Sequence, residues 1–500
     1  MDLIANLGLG LSVTFTPTNV LFCFIGAMVG TLIGVLPGIG PLATMAMLLP
    51  ITFTLPPTTA IIMLAGIYYG SQYGGSTTAI LVNIPGESSA VVTCLDGHQM
   101  ARQGRAGAAL AVAAIGSFFA GCVVTVLIAL AAPPLSAIAL RFAAPEYFSL
   151  MVVGLVGAVV LAHGSVLKAI GVVLVGLLLG LVGTDITSGA QRYTFGVQNL
   201  ADGVGVVAVA MGLFGLTEVI ANLESPTESR EIVSQKVSGL MPTRADLRAA
   251  FPAMARGTAI GSALGVLPGG GALLSAFTSY IVEKKVAKDP SRFGRGAIEG
   301  VAGPESANNA GAQASFIPML TLGIPSNPVM AMMIGALLIQ GIAPGPQVMT
   351  KQPELFWGLI ASMWLGNLML VIINLPLIGI WVALLRVPYR MLFPAILLFC
   401  AIGVYSVNNA TFDVLLTAGF GLFGYVLLKL GFEPAPMLMG LILGPMMEEN
   451  MRRAMTVSRG NPMIFIERPL SAALLAIATA LLLIVILPNV RRGREKAFQE

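Results

Sequence analysis

Two glutamates of this sequence stand in polar stretches that carry no other charge. Glu87 lies in Asn83-Ile84-Pro85-Gly86-Glu87-Ser88-Ser89, and Glu305 in Pro304-Glu305-Ser306-Ala307-Asn308-Asn309. Placed among apolar helices, an acid is costly to bury unless it is paired or neutralised. Glu87 and Glu305, with Asn83, Asn308 and Asn309, are therefore candidates to carry a coupling H+ or to ligate Na+. No transition metal is expected. Ser88, Ser89, Ser326 and Asn327 adjoin the Ile84-Pro85 and Ile324-Pro325 pairs. They could hydrogen-bond a solute carboxylate, or cap helix ends at about 1 kcal/mol each; one residue can do both.

A second kind of chemistry rests on backbone. Residues 26–41 read GAMVGTLIGVLPGIGP and residues 257–272 read GTAIGSALGVLPGGGA, with glycine at every fourth position (Gly26, Gly30, Gly34, Gly38; Gly257, Gly261, Gly265, Gly269). Glycines four apart line one helix face and let another backbone approach closely, a packing device of membrane helices. Pro37 and Pro268 then disfavour helix at the residue before each, and the glycines behind them free the chain. Gly38, Ile39 and Gly40, and Gly269, Gly270 and Gly271, would thus leave unpaired N–H groups at the start of the next helix, where a carboxylate is favoured. With Gly86, Ser88, Ser89, Ser326 and Asn327 they make up the expected substrate-binding set.

The elements that must hold these groups are apolar helices. Of the 500 residues 56% are hydrophobic and only 10% charged, against about 25% charged in an ordinary soluble domain. Apolar runs such as 147–162, 169–183 and 472–488 are continuous rather than alternating, which favours spanning helices over a β-barrel. The fold class is therefore an all-α polytopic membrane protein embedded in a lipid bilayer, with room for about 10–14 membrane segments. The polar inserts YYGSQYGGSTT (Tyr68 to Thr78) and PESANNAGAQAS (Pro304 to Ser315) read as irregular backbone at membrane depth.

Because the glycine stretches recur, the chain divides into two repeats, 1–223 and 257–490, joined by a polar linker over 224–256 and followed by a basic tail, 491–500. The loop after the first LPG break (Thr52 to Thr59) is uncharged, whereas the loop after the second carries Lys284, Lys285, Lys288, Arg292 and Arg295. If basic loops stay cytoplasmic, equivalent loops lie on opposite sides. That is the pattern of inverted-topology repeats with broken or re-entrant helices, whose site lies at the repeat interface. Arg491, Arg492, Arg494 and Lys496 place the C-terminus in the cytoplasm on the same argument.

Enzymatic motifs fail on context. Gly38-Ile39-Gly40-Pro41-Leu42-Ala43 matches GxGxxA without a preceding strand or a following acid, and neither LPG loop has a Walker lysine. Ser165-Val166-Leu167-Lys168 fits SxxK without companion motifs. The four cysteines lie singly, and the two histidines, His98 and His163, are far apart, so neither a disulfide framework nor a Cys/His metal site is expected. No nucleic-acid patch is implied, and MDLIANLGLGLS lacks the basic region of a signal peptide. His98 reads as solvated in a charged loop, and Lys168, Arg141, Asp413, Glu218, Glu448 and Glu449 read as marking helix ends.

Taken together, GTLIGVLPGIGP, YGSQYGGSTTAILVNIPGESSA, GVLPGGG, PESANNA and LGIPSNP resemble the large membrane subunit of the tripartite tricarboxylate transporter family, over nearly the whole chain. The resemblance implies a multi-pass protein of the bacterial inner membrane that is not an enzyme and needs no cofactor. It also implies a periplasmic substrate-binding protein and a small transmembrane subunit as partners. Carboxylates such as citrate and other organic acids would be the substrates, with a Na+ or H+ gradient as the driving force. The rival classes are an intramembrane enzyme, indifferent to ion gradients, and a passive anion channel, unable to accumulate solute.

Overall fold

The computed structural model describes residues 3–36, 40–52, 54–162, 165–185, 187–224, 239–267, 271–385 and 389–486. The first half holds α1 (Leu3–Thr14), α2 (Pro17–Val35), α3 (Pro41–Thr52), α4 (Pro57–Val82), α5 (Val91–Arg102), α6 (Ala106–Ala139), α7 (Ala144–Leu161) and α8 (Val166–Gly180). A two-stranded antiparallel hairpin, β1 (Gly183–Thr184) and β2 (Gln191–Arg192), follows. Then α9 (Val206–Ala210) passes through a π-helical stretch, Met211–Leu216, into α10 (Thr217–Glu224).

The second half holds α11 (Arg244–Gly265), α12 (Gly271–Val286), α13 (Glu299–Ala314), α14 (Phe316–Leu322), α15 (Pro328–Ile339), the short α16 (Val348–Lys351), α17 (Pro353–Asn374) and α18 (Ile378–Leu384). Next come α19 (Tyr389–Asn408), α20 (Thr411–Lys429), α21 (Ala435–Val457), α22 (Ile464–Glu467) and α23 (Pro469–Ile486). Among the described residues five helices are long and apolar enough to cross a membrane, and seven shorter apolar helices accompany them. The protein is thus a helical, multi-pass membrane protein.

The recurring glycines do what their spacing requires. Gly26, Gly30 and Gly34 of α2 lie against the backbone of Met63, Ile67 and Ser71 of α4, so that a Cβ at any of them would strike main chain. Because both series ascend together, α2 and α4 run parallel. Gly257, Gly261 and Gly265 of α11 meet Gly303, Ala307 and Gly311 of α13 in the same sense. α2 with α3, and α11 with α12, are therefore hairpins whose second arm returns. Asn19 and Thr59 tie the starts of α2 and α4 at 2.5 Å, so α3 carries the chain back to where α2 began. On the other side, Gly311 faces Gly271 and Ser275 while Gly303 faces Ser279 and Glu283, so α12 runs back along α13.

The two helix pairs point in opposite directions. Ser76 of α4 meets Glu305 near the start of α13, whereas Tyr68, earlier in α4, meets Phe316 in α14. Each half also lends its long helix to the other: α6 packs on α11 and α13, and α17 on α2 and α4. At one end of the molecule the Thr52 carbonyl accepts from the Gln340 amide at 2.7 Å. At the other, Asp96 Oδ1 accepts backbone N–H groups of Gly294, Gly296 and Ala297 at 2.8–2.9 Å, and Gln103 bonds the Arg295 carbonyl.

Four sequence expectations change. Both polar inserts are helical: Tyr68–Thr78 lies wholly inside α4 and Pro304–Ala314 inside α13. Glycine and serine weaken a helix in water, but here they admit a neighbouring backbone, and the chain breaks only after each insert. The charged stretch around Asp96 is helix α5, and His98 is half-buried with Nδ1 3.2 Å from the Ile80 carbonyl. Helix α11 begins at Arg244, within the expected linker, capped by Thr243, whose hydroxyl accepts the Asp246 N–H. Glu218 lies inside the continuous span Val206–Glu224 rather than at a helix end. The expected tail, 491–500, lies outside the described residues, as do residues 225–238 of the linker.

Candidate functional site

Helix α4 ends at Asn83, an exposed residue in the left-handed conformation (φ 59°). Beyond it the chain folds back, because Gly86 sits so close to Gly34 of α2 and Gly75 of α4 that any side chain there would strike the Gly34 carbonyl. This turn delivers Glu87. Its carboxylate accepts the Ser89 N–H at 3.1 Å, the Ser88 hydroxyl at 3.1 Å and the Ser89 hydroxyl. Ser89 is buried with its hydroxyl 2.7 Å from Gln72 Oε1, whereas Ser88 is exposed.

The second half builds its counterpart differently. Helix α14 ends at Gly323, also left-handed (φ 73°). Buried Ser326 donates to the Ser315 carbonyl at 3.3 Å. Asn327 caps α15 by accepting the Met330 N–H at 3.0 Å, and its amide nitrogen reaches the Tyr68 hydroxyl at 3.3 Å. Gly271, the first residue of α12 (φ 47°), lies against Asn327. Two elements of each half thus approach the other half: α12 packs on the turn at Ser88–Ala90, and α3 packs on α15.

Gly40, just before α3, lies against the Glu218 carboxylate. Sequence reasoning read Glu218 only as a helix-end charge. The charge of Glu87 is within electrostatic reach of Glu218, of Glu305 and of Tyr68. Gly38, Ile39, Gly269 and Gly270 lie outside the described residues.

Glu305, fully buried, stands at the centre of a polar cluster assembled from both halves. It accepts from Ser76 of α4 at 2.5 Å, from Thr93 of α5, and from the Asn308 amide at 3.4 Å. Asn309 donates to Ser117 of α6 and to Asn308 Oδ1, both at 2.7 Å. Among the described residues no Lys, Arg or His forms an ion pair with Glu87, Glu218 or Glu305; the ion pairs lie elsewhere, as in Arg256–Glu283 and Arg105–Asp246. The structure brings Glu305, Asn308 and Asn309 together, and Glu87 with Ser88 and Ser89. It leaves Asn83 apart at an exposed cap.

Tyr68, Ser76, Thr93, Ser117 and Glu218 were not assigned from sequence. Tyr68 and Ser76 carried a signal, since they fall in the polar insert of α4. Thr93 and Ser117 are single hydroxyls in a mixed and an apolar run, which nothing in spacing marks.

Helices packed through glycine faces, with chain breaks, one fully buried acid and two half-buried ones without basic partners between them, define a polytopic membrane protein built around a polar interior. The chain belongs to the tripartite tricarboxylate transporter TctA family, whose description it matches over residues 20–439. It is 59% identical over 500 residues to an uncharacterized 52.8 kDa protein of Agrobacterium vitis, from the TAR-I ttuC' 3' region, covering all of this chain and 99% of that one. A second uncharacterized protein of Agrobacterium vitis, from the TAR-II ttuC' 3' region, is 59% identical over 240 residues, 48% of this chain and 99% of its own length. No solved structure matches.

Proposed function

We propose that this chain is the translocation subunit of a binding-protein-dependent secondary transporter, importing tri- or dicarboxylates such as citrate across a bacterial inner membrane with a Na+ or H+ gradient. The observation that carries this reading is the opposed pair of glycine-packed helix hairpins, with Asn327 at the Tyr68 hydroxyl and α12 packed on the turn after Glu87. Two inverted repeats enclosing one solute between them account for that arrangement.

In this reading the amides after each LPG break, with Gly86, Ser88, Ser89, Ser326 and Asn327, hold the carboxylate groups. Glu87 and Glu305 answer for the ion, because acids held between helices without basic partners, one half-buried and one fully buried, need a cation or proton when the solute brings further negative charge. The basic residues Arg102, Arg105, Lys284, Lys285, Lys288, Arg292 and Arg295 share one end of the molecule, which becomes the cytoplasmic end. The tripartite character of the family supports a small transmembrane subunit and a periplasmic binding protein as partners.

The test is uptake of radiolabelled carboxylates into vesicles reconstituted with the partner subunits, with Na+ and pH gradients set separately. Accumulation that requires one gradient and the binding protein is the expected result. Equilibration without accumulation would make the chain a channel and overturn the reading.

A further inference from the structure

We propose that a small cavity beside Glu305 is a binding site for one dehydrated monovalent cation of Na+ size, built from oxygens of both halves. The proposal deepens the cation-coupled reading above and rests on it for the site's role in transport.

The cavity measures about 10 Å³; its polar lining is Tyr73, Ser76 and Thr77 of α4, Ser117 of α6 and Asn374 at the end of α17, and apolar side chains of α6 and Leu375 close the rest of the wall. That is the room one water-sized sphere needs, and a bare Na+ is smaller than water. All five polar lining residues carry an oxygen, and each is at most 4% exposed. Hard oxygen donors of this kind suit a hard cation and not a soft one.

Two of these oxygens are held ready by bonds made elsewhere. The Asn374 amide nitrogen donates to the Leu370 carbonyl at 2.9 Å and to Thr31 Oγ1 at 3.3 Å. The side chain is thereby oriented, and its Oδ1 is left without a partner while fully enclosed. Tyr73 spends its proton on Asn367 Oδ1 at 3.2 Å, so its oxygen can offer only lone pairs.

A buried carbonyl oxygen without a donor is costly, and a cation satisfies it. The neutralising charge is close: Ser76 Oγ lines the cavity and lies 2.5 Å from Glu305 Oε2. Ser76 spends its single proton on Glu305, which does not line the cavity, so its oxygen too can offer only lone pairs to a cation. Because α4 and α6 come from one half and α13 and α17 from the other, an ion here stabilises one arrangement of the halves.

The test uses the purified full chain in lipid nanodiscs without solute, following the thermal midpoint as NaCl replaces choline chloride, with KCl as a second control. Binding to the folded state raises the midpoint with concentration, so a Na+-specific rise is expected. Asn374→Ala and Ser117→Ala, which keep the helices, should weaken the half-saturating Na+ concentration roughly 10–100-fold, the range for loss of a metal-site partner. A wild type indifferent to Na+ and K+ alike means that the cavity holds water only and overturns the proposal. So does a Na+ response unchanged in both variants. Solute accumulation driven by a pH gradient alone, in a protein whose midpoint ignores Na+, would sink the cation site and leave transport standing. A Na+ response that fails in Asn374→Ala, in a protein that accumulates no carboxylate with its partners, would sink transport and leave the site.

Discussion

The turn after α4 and the turn after α14 are built on one backbone plan and carry different chemistry. Asn83 and Gly323 are both left-handed caps, and they lie 240 positions apart, as do Ile84 and Ile324. Glu87 and Asn327, again 240 apart, each accept a backbone N–H at the start of the next helical segment. At that shared position the first half places a carboxylate and the second a neutral amide. Along the helices before the turns, Tyr68, Tyr69 and Tyr73 correspond in the same spacing to Asn308, Asn309 and Gln313, and Glu305 corresponds to Ala65. The duplicated part is therefore the scaffold of glycine faces and caps. The acids are distributed unequally over it, so one interior acquires two corners of different chemistry.

The strongest test of the shared scaffold is steric. A Cβ at Gly30 would lie 2.5 Å from the Ile67 carbonyl oxygen, and one at Gly261 would meet the Ala307 carbonyl and lie 2.6 Å from the Ala310 side chain. Gly30→Val and Gly261→Val should each cost more than the ~1–3 kcal/mol of ordinary overpacking, because a main chain cannot step aside. Both variants should fail to yield folded protein in detergent. If one is tolerated, the two helix pairs are not equivalent.

Unequal acids predict unequal losses. Glu305→Gln, at the fully buried corner, should lower ion-dependent uptake by on the order of 10–100-fold, the scale of a lost metal-site partner. Glu87→Gln should lower it less, since the turn at Ser88 is exposed and water can share the load. Equal losses in an uptake assay with graded Na+ and pH would mean that the two corners do one job.

How far this division could be read in the sequence follows from what each feature looks like there. The glycine faces were legible because spacing of four is itself the geometry of a helix face. Glu87 and Glu305 were legible as charges in uncharged surroundings. The helical state of both inserts was not, since glycine- and serine-rich runs read as breaks until the neighbouring backbone that fills them is known. Glu218 was not legible either: it lies six residues before Glu224 and the polar linker, and only its position inside the span, against Gly40, separates it from a helix-end charge. Thr93 and Ser117 depended wholly on tertiary contact with α13.

The capping position offers a smaller effect. Asn327→Ala removes the acceptor for Met330 N–H and should cost about 0.5–2 kcal/mol, the usual value of an N-cap, read as a lower thermal midpoint. Asn327→Asp restores the acceptor and should recover most of it. Recovery of stability without recovery of uptake would separate the amide's contact with Tyr68 from its capping role.

The smallest effect is expected where the halves do not correspond at all. The β-hairpin belongs to the first half, and among the described residues the second half holds no strand. Asp185 organises it, accepting the Thr187 and Ser188 N–H groups at 2.7 and 3.1 Å and pairing with Arg452 at 2.8 Å. Those backbone amides first, and the Arg452 and Arg192 charges after them, hold its carboxyl below the usual aspartate range. A depressed folded value stabilises above the unfolded value, about 3.9, and that stability is lost as pH falls through the folded one. Asp185→Asn should therefore lower the midpoint slightly and by a constant margin from pH 5 to 8, with the gap to wild type closing only below about pH 4. Its uptake should keep the wild-type ion dependence, because the hairpin lies outside the duplicated scaffold. A variant that shifted ion dependence instead would make this unpaired hairpin part of the transport cycle, and the division between scaffold and chemistry would have to be redrawn around it.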